Sequence, residues 1–184
     1  MSQQIGEDIR ALRRARDLTL QSLSSAIGRS VGWLSQIERG QATPSVRDLG
    51  LLAGQLGISI SFFFRSSGRD EGERGLIQRE ADRVPIGSLE SGLSEELLSP
   101  RLGGSFEMIR SVFAPGASSD GPVSERGAEH GGVLLQGALT LAIGDREFRL
   151  SPGDSFQFAG QPYAWRNDGE VPAVAVWVIS PPVY

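Results

Sequence analysis

Few residues in this chain can do covalent chemistry. There is one histidine, His130, and no cysteine among 184 residues, which excludes thiol nucleophiles and disulfides. No Ser-His-acid set with a recognisable context surrounds that histidine. His130 with Glu125, Glu129 and a phenol is a weak set for a catalytic divalent metal, which needs several N and O donors converging. No metal, no cofactor and no catalytic residue are therefore expected, and the chain reads as a binding protein rather than an enzyme. The binding chemistry lies between Val31 and Glu38. There Leu34 and Ile37 are the apolar pair of a helix, which leaves Val31, Gly32, Ser35 and Gln36 on an outward side with no long apolar stripe.

The surrounding elements position that helix. Thr19 is an N-cap for a helix whose Leu20, Leu23 and Ile27 recur at i, i+3 and i+7, Gly28 ends it, and Ser30 caps the next. Two short helices around a Gly-containing turn form the helix-turn-helix signature, in which the second helix enters the DNA major groove with its N-terminal half. Residues 3–16 are expected to form a covering helix through Ile5, Ile9 and Leu12. Ser45 and Asp48 are spaced as a capping box for a fourth helix with Leu49, Leu52, Ala53 and Leu56 inward and Gly57 as its stop. Ile58 to Phe64 reads as a fifth short helix. Its three adjacent phenylalanines cannot all point inward, so one or two are expected to pack on a neighbouring domain or subunit. The stretch RSSGRDEGERGLIQRE, from Arg65 to Glu80, cannot build a core. From Leu76 the helical period gives way to short β-rich segments such as SFEMIRSVF and AVAVWVIS, divided by Gly, Pro, Asp and Asn, as in an all-β sandwich or barrel. The expected organisation is a helical domain over 1–65, a linker over 66–80 and a β domain over 81–184 with its core in 105–181.

The run S-V-G-W-L-S-Q-I-E-R-G, followed by P-S-V-R-D-L-G-L-L-A-G-Q-L-G-I-S, resembles the xenobiotic-response-element class of lambda-repressor-like regulators. That resemblance implies an all-α five-helix DNA-binding domain. It makes Val31, Gly32, Ser35 and Gln36 the base-facing set and Arg39, with the backbone near Gly40, a phosphate clamp. Gln36 is the best reader, because its amide offers a donor and an acceptor together to an adenine edge; Val31 can touch only a thymine methyl. The family often has Gln where Leu20 stands, so one backbone contact is missing here. The resemblance also implies that Glu38 pairs inward with Arg13. Arg10, Arg14 and Arg16 fit a solvated face as well as phosphate contacts, and Trp33 reads as half-buried packing rather than a base-stacking platform.

In the second half, G-G-V-L-L-Q-G-A-L-T-L-A-I-G-D-R-E-F-R-L-S-P-G-D-S-F-Q-F and P-Y-A-W-R-N-D-G resemble the two motifs of the cupins, and the ending S-P-P-V-Y resembles the close of regulators that fuse a helix-turn-helix to such a barrel. A cupin is a double-stranded β-helix, a small jelly-roll barrel with a pocket at one mouth. Metal-binding cupins place an H-x-H pair, a Glu and a third His there. Counting back from Gly137, His130 stands in the Glu position, the pair falls on Ser124 and Arg126 or on Val123 and Glu125, and Tyr163 replaces the third His. The alternative implied by the family, a metal-dependent oxygenase or epoxidase carrying a helix-turn-helix, thus lacks most of its ligands. By strand alternation Tyr163, Trp165 and Asn167 share a face with His130 on the opposite wall, a lining suited to a small effector with an apolar body and a polar or charged end. A filled barrel in which His130 and Tyr163 bond to each other or to backbone is the competing arrangement. Either Glu107 or Arg110, on opposite faces of one strand, points inward; an inward Arg110 favours a carboxylate ligand and an inward Glu107 an amine. The pocket candidates are His130, Tyr163, Trp165, Arg110 and Glu125.

Net charge is −4, but its distribution is uneven. Residues 1–65 hold eight Arg against five acids, a net of +3, and the remainder carries −7. A basic head on an acidic body suits double-stranded DNA, because the phosphate field is felt locally. With 39% hydrophobic residues, two modest cores can be buried, and no signal peptide or membrane span is readable, so a cytoplasmic location is expected. One head covers too little DNA for specific binding. A homodimer joined through paired barrel edges is therefore expected, reading a pseudo-palindromic operator with half-sites ~34 Å apart. Repression is the commoner outcome in regulators of this kind.

Overall fold

Three hydroxyl side chains punctuate the front of the chain in the computed structural model. Thr19, Ser30 and Ser45 each have extended backbone and accept a hydrogen bond from the first turn that follows, which starts α2 (Leu20–Ala26), α3 (Val31–Glu38) and α4 (Val46–Gln55). Ser45 and Asp48 complete the capping box reciprocally. The structure describes residues 2–58, 60–64, 71–73, 75–83, 85–86, 92–102, 104–124 and 127–182. They form two compact units, one built on 1–84 with 100–104 and the other on 85–99 with 105–183.

In the helical unit α1 (Ser2–Ala15) buries Ile5, Ile9 and Leu12. Asp17 ends it in the left-handed region, φ 53°, and the amides of Asp17 and Leu18 return to the carbonyls of Arg14 and Arg13. Aspartate tolerates that conformation better than most residues. At Gly6, α1 and α3 approach closely. A Cβ on Gly6 would lie 2.2 Å from the carbonyl oxygen of Ile37, so the backbones meet with no side chain between them. The expected fifth helix is corrected to a single stretch of 3-10 helix, Ile60–Phe64, leaving four α-helices among the described residues. Five residues are too few to repay α-helix nucleation, and i→i+3 bonds suit such short pieces. Phe62 and Phe63 are buried edge to face, with centroids 6.4 Å apart, and Phe64 is 37% exposed. Within the stretch expected to be a linker, Glu71–Glu73 forms one 3-10 turn, and a second, Glu80–Asp82, follows at its end.

The β unit has nine strands among the described residues, all paired antiparallel. They are β1 (Pro85–Ile86), β2 (Leu93–Leu97), β3 (Glu107–Phe113), β4 (Glu129–Gln136), β5 (Leu139–Ile143), β6 (Arg146–Leu150), β7 (Ser155–Ala159), β8 (Tyr163–Arg166) and β9 (Ala173–Ser180). One sheet runs β1-β2-β3-β9-β4-β7 and the other β6-β5-β8. The core lies between them: Ile109, Leu134, Phe158 and Trp177 from the larger sheet meet Leu141 and Trp165 from the smaller. Burial on β3 alternates residue by residue, as expected of a strand with one face on a core. A Cβ on Gly132 would lie 2.4 Å from the Phe156 ring, so this glycine makes room for the Phe156–Trp177 pair, whose centroids are 4.5 Å apart.

Gly6 and Gly32, on α1 and α3, predict opposite outcomes. Gly6→Ala forces α1 off α3 and should cost about 1–3 kcal/mol or more. Gly32, with nothing within 4 Å of its added Cβ, should tolerate Ala with a gain of roughly 0.5–1 kcal/mol. Denaturant unfolding of the two variants checks this, and equal effects would contradict the packing described.

Candidate nucleic-acid interface and barrel site

The recognition element is built by what holds α3 from behind. Leu34 and Ile37 are fully buried, whereas Gly32, Gln36 and Arg39 are exposed and Val31 and Ser35 half-buried. The outward set expected from the sequence thus shares one side of the helix, with Arg39 at its C-cap. Arg39 Nε donates to the Ser35 carbonyl at 3.2 Å, which lays its side chain along the last turn. Glu38 points the other way. Its two oxygens receive Arg13 Nε at 2.6 Å and Nη2 at 2.9 Å, and Arg13 Nη1 donates to the Leu18 carbonyl at 2.7 Å. This is the inward pair the family resemblance implied, and the Glu38 hydrogen bonds raise the Arg13 pKa. Breaking one side of such a pair costs about 3–5 kcal/mol, because the other charge stays buried.

A second anchor escaped sequence reasoning. Asp48 Oδ1 receives Arg29 Nε at 2.9 Å and Nη2 at 2.6 Å, and its Oδ2 receives the Ser45 hydroxyl at 2.7 Å. The Arg29 guanidinium in turn lies 5.5 Å from the centroid of the Trp33 ring, a cation–π contact on the first turn of α3. Trp33 is half-buried, as expected. The capping box made Asp48 legible, but its partner Arg29 is 19 residues away and no local pattern joins them. The Ser45 hydroxyl, and then Arg29, hold the Asp48 carboxyl below the usual carboxylate range, so this contribution to stability is present at neutral pH and lost on acidification.

In the barrel the register decides which residues face inward. Across the larger sheet Glu107 of β3 pairs with Ile179 of β9, Ile179 with His130 of β4, and His130 with Phe158 of β7, one continuous rung. Glu107 is 1% exposed and His130 2%. His130 stacks on Phe158 at 5.0 Å with 9° between planes, stands 5.0 Å from the Tyr163 ring, and accepts a hydrogen bond at Nδ1 from Trp177 Nε1 at 3.2 Å. Burial lowers its pKa, and the ring is held neutral.

The remaining expectations separate. Arg110 is corrected: it lies on the outer face of β3, two-thirds buried beside the neighbouring strand, and pairs with Glu96 of β2 at 3.6 Å, because the period of two sends it opposite to Ile109 and Ser111. Trp165 is inward but sits edge-on to Phe113 at 4.8 Å, in the core rather than beside His130. Asn167 clamps the β8–β9 turn, donating to the carbonyls of Phe113 and Val171 and accepting from Gly169 N–H. Glu125 lies outside the described residues, as does Arg126. A metal of the cupin kind does not fit the groups present: His130 Nδ1 is engaged by an indole N–H, a phenol stands for the third imidazole, and among the described residues no three His, Cys, Asp or Glu side chains come together as ligands. A separate groove of about 280 Å³, lined by Leu93, Val112, Ala114, Pro115 and Pro172 among others, has no titratable side chain in its lining.

A helix-turn-helix domain model matches residues 4–60 and a cupin domain model residues 109–179. The chain is 33% identical to the HTH-type transcriptional regulator DdrOP3 of Deinococcus deserti over 53% of this chain and 67% of that protein. The chain belongs to the helix-turn-helix transcriptional regulators that carry a C-terminal cupin domain. The regulator is also 28% identical to the HTH-type transcriptional regulator SutR of Escherichia coli, over 88% of this chain and 86% of that one. Among solved structures, hydroxypropylphosphonic acid epoxidase from S. wedmorenis aligns with a TM-score of 0.51 at 20% identity, over 96% of this chain and 97% of that one, a likeness of fold alone. No helix among the regulator's described residues is long and apolar enough to cross a membrane.

Two outcomes test the barrel geometry. Because the folded chain holds His130 neutral, stability is complete above the unfolded value of about 6.5 and falls as the pH drops below it. The unfolding midpoint should decline from about pH 7 to about pH 5, and less steeply in His130→Gln, which keeps an acceptor for Trp177; an unchanged slope would place that titration elsewhere. Trp165→Ala should cost about 3–5 kcal/mol of stability as a core truncation, whereas Arg110→Ala should stay within about 1 kcal/mol.

Proposed function

We propose that this regulator binds a pseudo-palindromic operator as a homodimer, that it acts as a repressor, and that its barrel takes a small-molecule effector. The observation that carries the DNA-binding part is a recognition helix capped by Ser30, pinned from behind by Arg13–Glu38 and Arg29–Asp48, and outwardly free of apolar bulk. In this reading Val31, Gly32, Ser35 and Gln36 face the bases, and Arg39 lies where the last turn of α3 meets the phosphate backbone. The positive head supports the same reading.

The effector part rests on the cluster around His130, where Tyr163 and Phe156 are half-buried over a floor of His130, Phe158 and Trp177. Such a lining suits a ligand with an apolar body. A ligand there changes DNA binding only by favouring one arrangement of the dimer over another. Dimerisation through the barrels would set two heads about one helical turn of DNA apart, ~34 Å. The cytoplasm is the compartment where such a regulator meets its operator. The reading of the chain as a regulator and not an epoxidase is supported by its curated relatives and by ligand positions that do not fit a metal.

Binding-site selection followed by footprinting tests the interface. Gln36→Ala should relax the preference at one base position by about 1–3 kcal/mol, and an unchanged preference would remove Gln36 as a reader. Arg39→Ala should weaken binding to every sequence and reduce the slope of log K against log salt by about one contact. An effect confined to one operator would contradict the phosphate role. Native mass spectrometry of the full-length protein should give a dimer, and a monomer bound to a half-site would overturn the two-fold reading.

A further inference from the structure

An antiparallel sheet with one side on a core and the other in water alternates apolar-in with polar-out. The larger sheet does not. Its central strand β9 is apolar on both sides, with Ala175 and Trp177 inward and Val174, Val176 and Val178 outward. The register sets Val112 of β3 beside Val174 and Val133 of β4 beside Val176, and Met108 of β3 beside Val178, so the outward valines form one continuous patch. Met108, Val112, Val133, Val176 and Val178 are half-buried, and each keeps some water-accessible surface in the folded chain. Leu135, one residue after the inward Leu134, extends the patch and is 53% exposed. Polar outward residues stand at the margins, Ser94 and Glu96 on β2 and Ser155 and Gln157 on β7. An apolar centre inside a polar rim is the anatomy of a protein interface.

A second copy of the same face is the partner that fits. Two-fold pairing sets a patch against its own image, which a patch of one sign would resist. Here Arg110 and Glu96 are opposite in sign and paired at 3.6 Å, so two copies meet without net repulsion. Five strands ~4.8 Å apart, with three outward rungs ~7 Å apart, make a patch of roughly 24 by 20 Å, about 500 Å² a side. Two such patches bury about 1,000 Å², which is what a specific interface needs. At one end the patch runs into the groove of about 280 Å³, with Ser94 and Val112 common to both. Leu135 and Val171, 53% and 55% exposed, are apolar projections of the size such a groove takes from another copy. The sheet edges suit pairing less: β1 has two residues and starts with proline, β6 exposes Arg146, Glu147 and Arg149, and β8 is bridged by Ser118 and Val123. That leaves β7, a single edge of five residues, against a face of five strands.

We propose that the regulator dimerises by stacking the outer face of its larger sheet on the same face of a second copy, with Val176 close to the two-fold axis. This deepens the homodimer reading above and rests on it. The two sheets lie ~10 Å apart with strand directions within ~30° of each other, as in sheet-on-sheet packing elsewhere. Strand β9 then has Trp177 on the aromatic group around His130 and its neighbours Val176 and Val178 on the other copy, so a shift of this one strand is felt on both sides.

Sedimentation equilibrium and native mass spectrometry of the full-length protein test this arrangement. Val176→Lys and Leu135→Glu should each raise the dimer dissociation constant at least tenfold while the far-ultraviolet circular dichroism stays that of the wild type. Arg146→Glu, on the β6 edge, should leave the dimer unchanged. Because the chain has no cysteine, Val176→Cys introduces a single thiol in a side chain of similar size. A short bismaleimide should join two copies of Val176→Cys, and should not join two copies of Arg149→Cys, which is on the smaller sheet. Leu135→Glu and the cross-link decide the matter even if Val176→Lys does not fold. A wild-type dimer that persists in the charge variants, or that does not cross-link from Val176→Cys, overturns this face and leaves the homodimer reading standing. A wild-type chain that stays monomeric, alone and on its operator, removes both.

Discussion

The DNA-binding half depends on the buried pair between Arg13 and Glu38. Two charge-assisted hydrogen bonds, at 2.6 and 2.9 Å, tie the last turn of the recognition helix to the covering helix, and a third from the same guanidinium reaches the Leu18 carbonyl. A pair of this kind is not a large net source of stability, because desolvation offsets most of the attraction. What it supplies is geometry: neither charge can stay buried if the helix slides or rotates. The Gly6–Ile37 approach works in the same place, since it brings α1 and α3 within reach of that pair. A helix of only eight residues has little stability of its own and must be held by such contacts.

At the other end of α3 the work is divided differently. Asp48 serves two elements at once, capping α4 through Ser45 and holding Arg29 through its other oxygen, while Arg29 lies against Trp33. The N-terminal half of the recognition helix, which meets the base edges in a helix-turn-helix, is therefore connected to α4 by a side-chain bridge rather than by apolar packing alone. Its outward residues remain available because the residues that fix the helix all point behind or beside it.

The barrel obeys a harsher rule than the head. Because side chains alternate along a strand, one choice of register assigns every residue of β3 to the core or to the outside together, and Glu107, Ile109, Ser111 and Phe113 go inward as a set. An acid is thereby carried into the interior beside the aromatic group, and an arginine is carried out. Ser111 similarly brings its hydroxyl to Glu95 of β2 at 2.9 Å, whose carboxyl burial holds above its ordinary range. The core of this unit is mostly aliphatic, with an aromatic group gathered around His130, while its metal-binding positions hold residues that do not suit a metal.

The amino-acid sequence alone determined the elements whose signals are local. The caps at Thr19, Ser30 and Ser45, the stripe of α2, the outward set on α3 and the change of period in the second half all depend on residues within a few positions of one another. It also determined the family, through motifs that sit in single runs of chain, and through that resemblance the Arg13–Glu38 pair. Tertiary structure alone decided Glu107 over Arg110, placed Trp165 against Phe113 instead of His130, joined Arg29 to Asp48, and made Gly6 a point of backbone contact. Each of these is a relation between residues far apart in sequence or a choice between two faces of one strand. Each face of a segment such as SFEMIRSVF carries apolar residues and one charge, Glu107 on one and Arg110 on the other, so alternation alone fits either choice and only the neighbouring strand, by its register, breaks the tie.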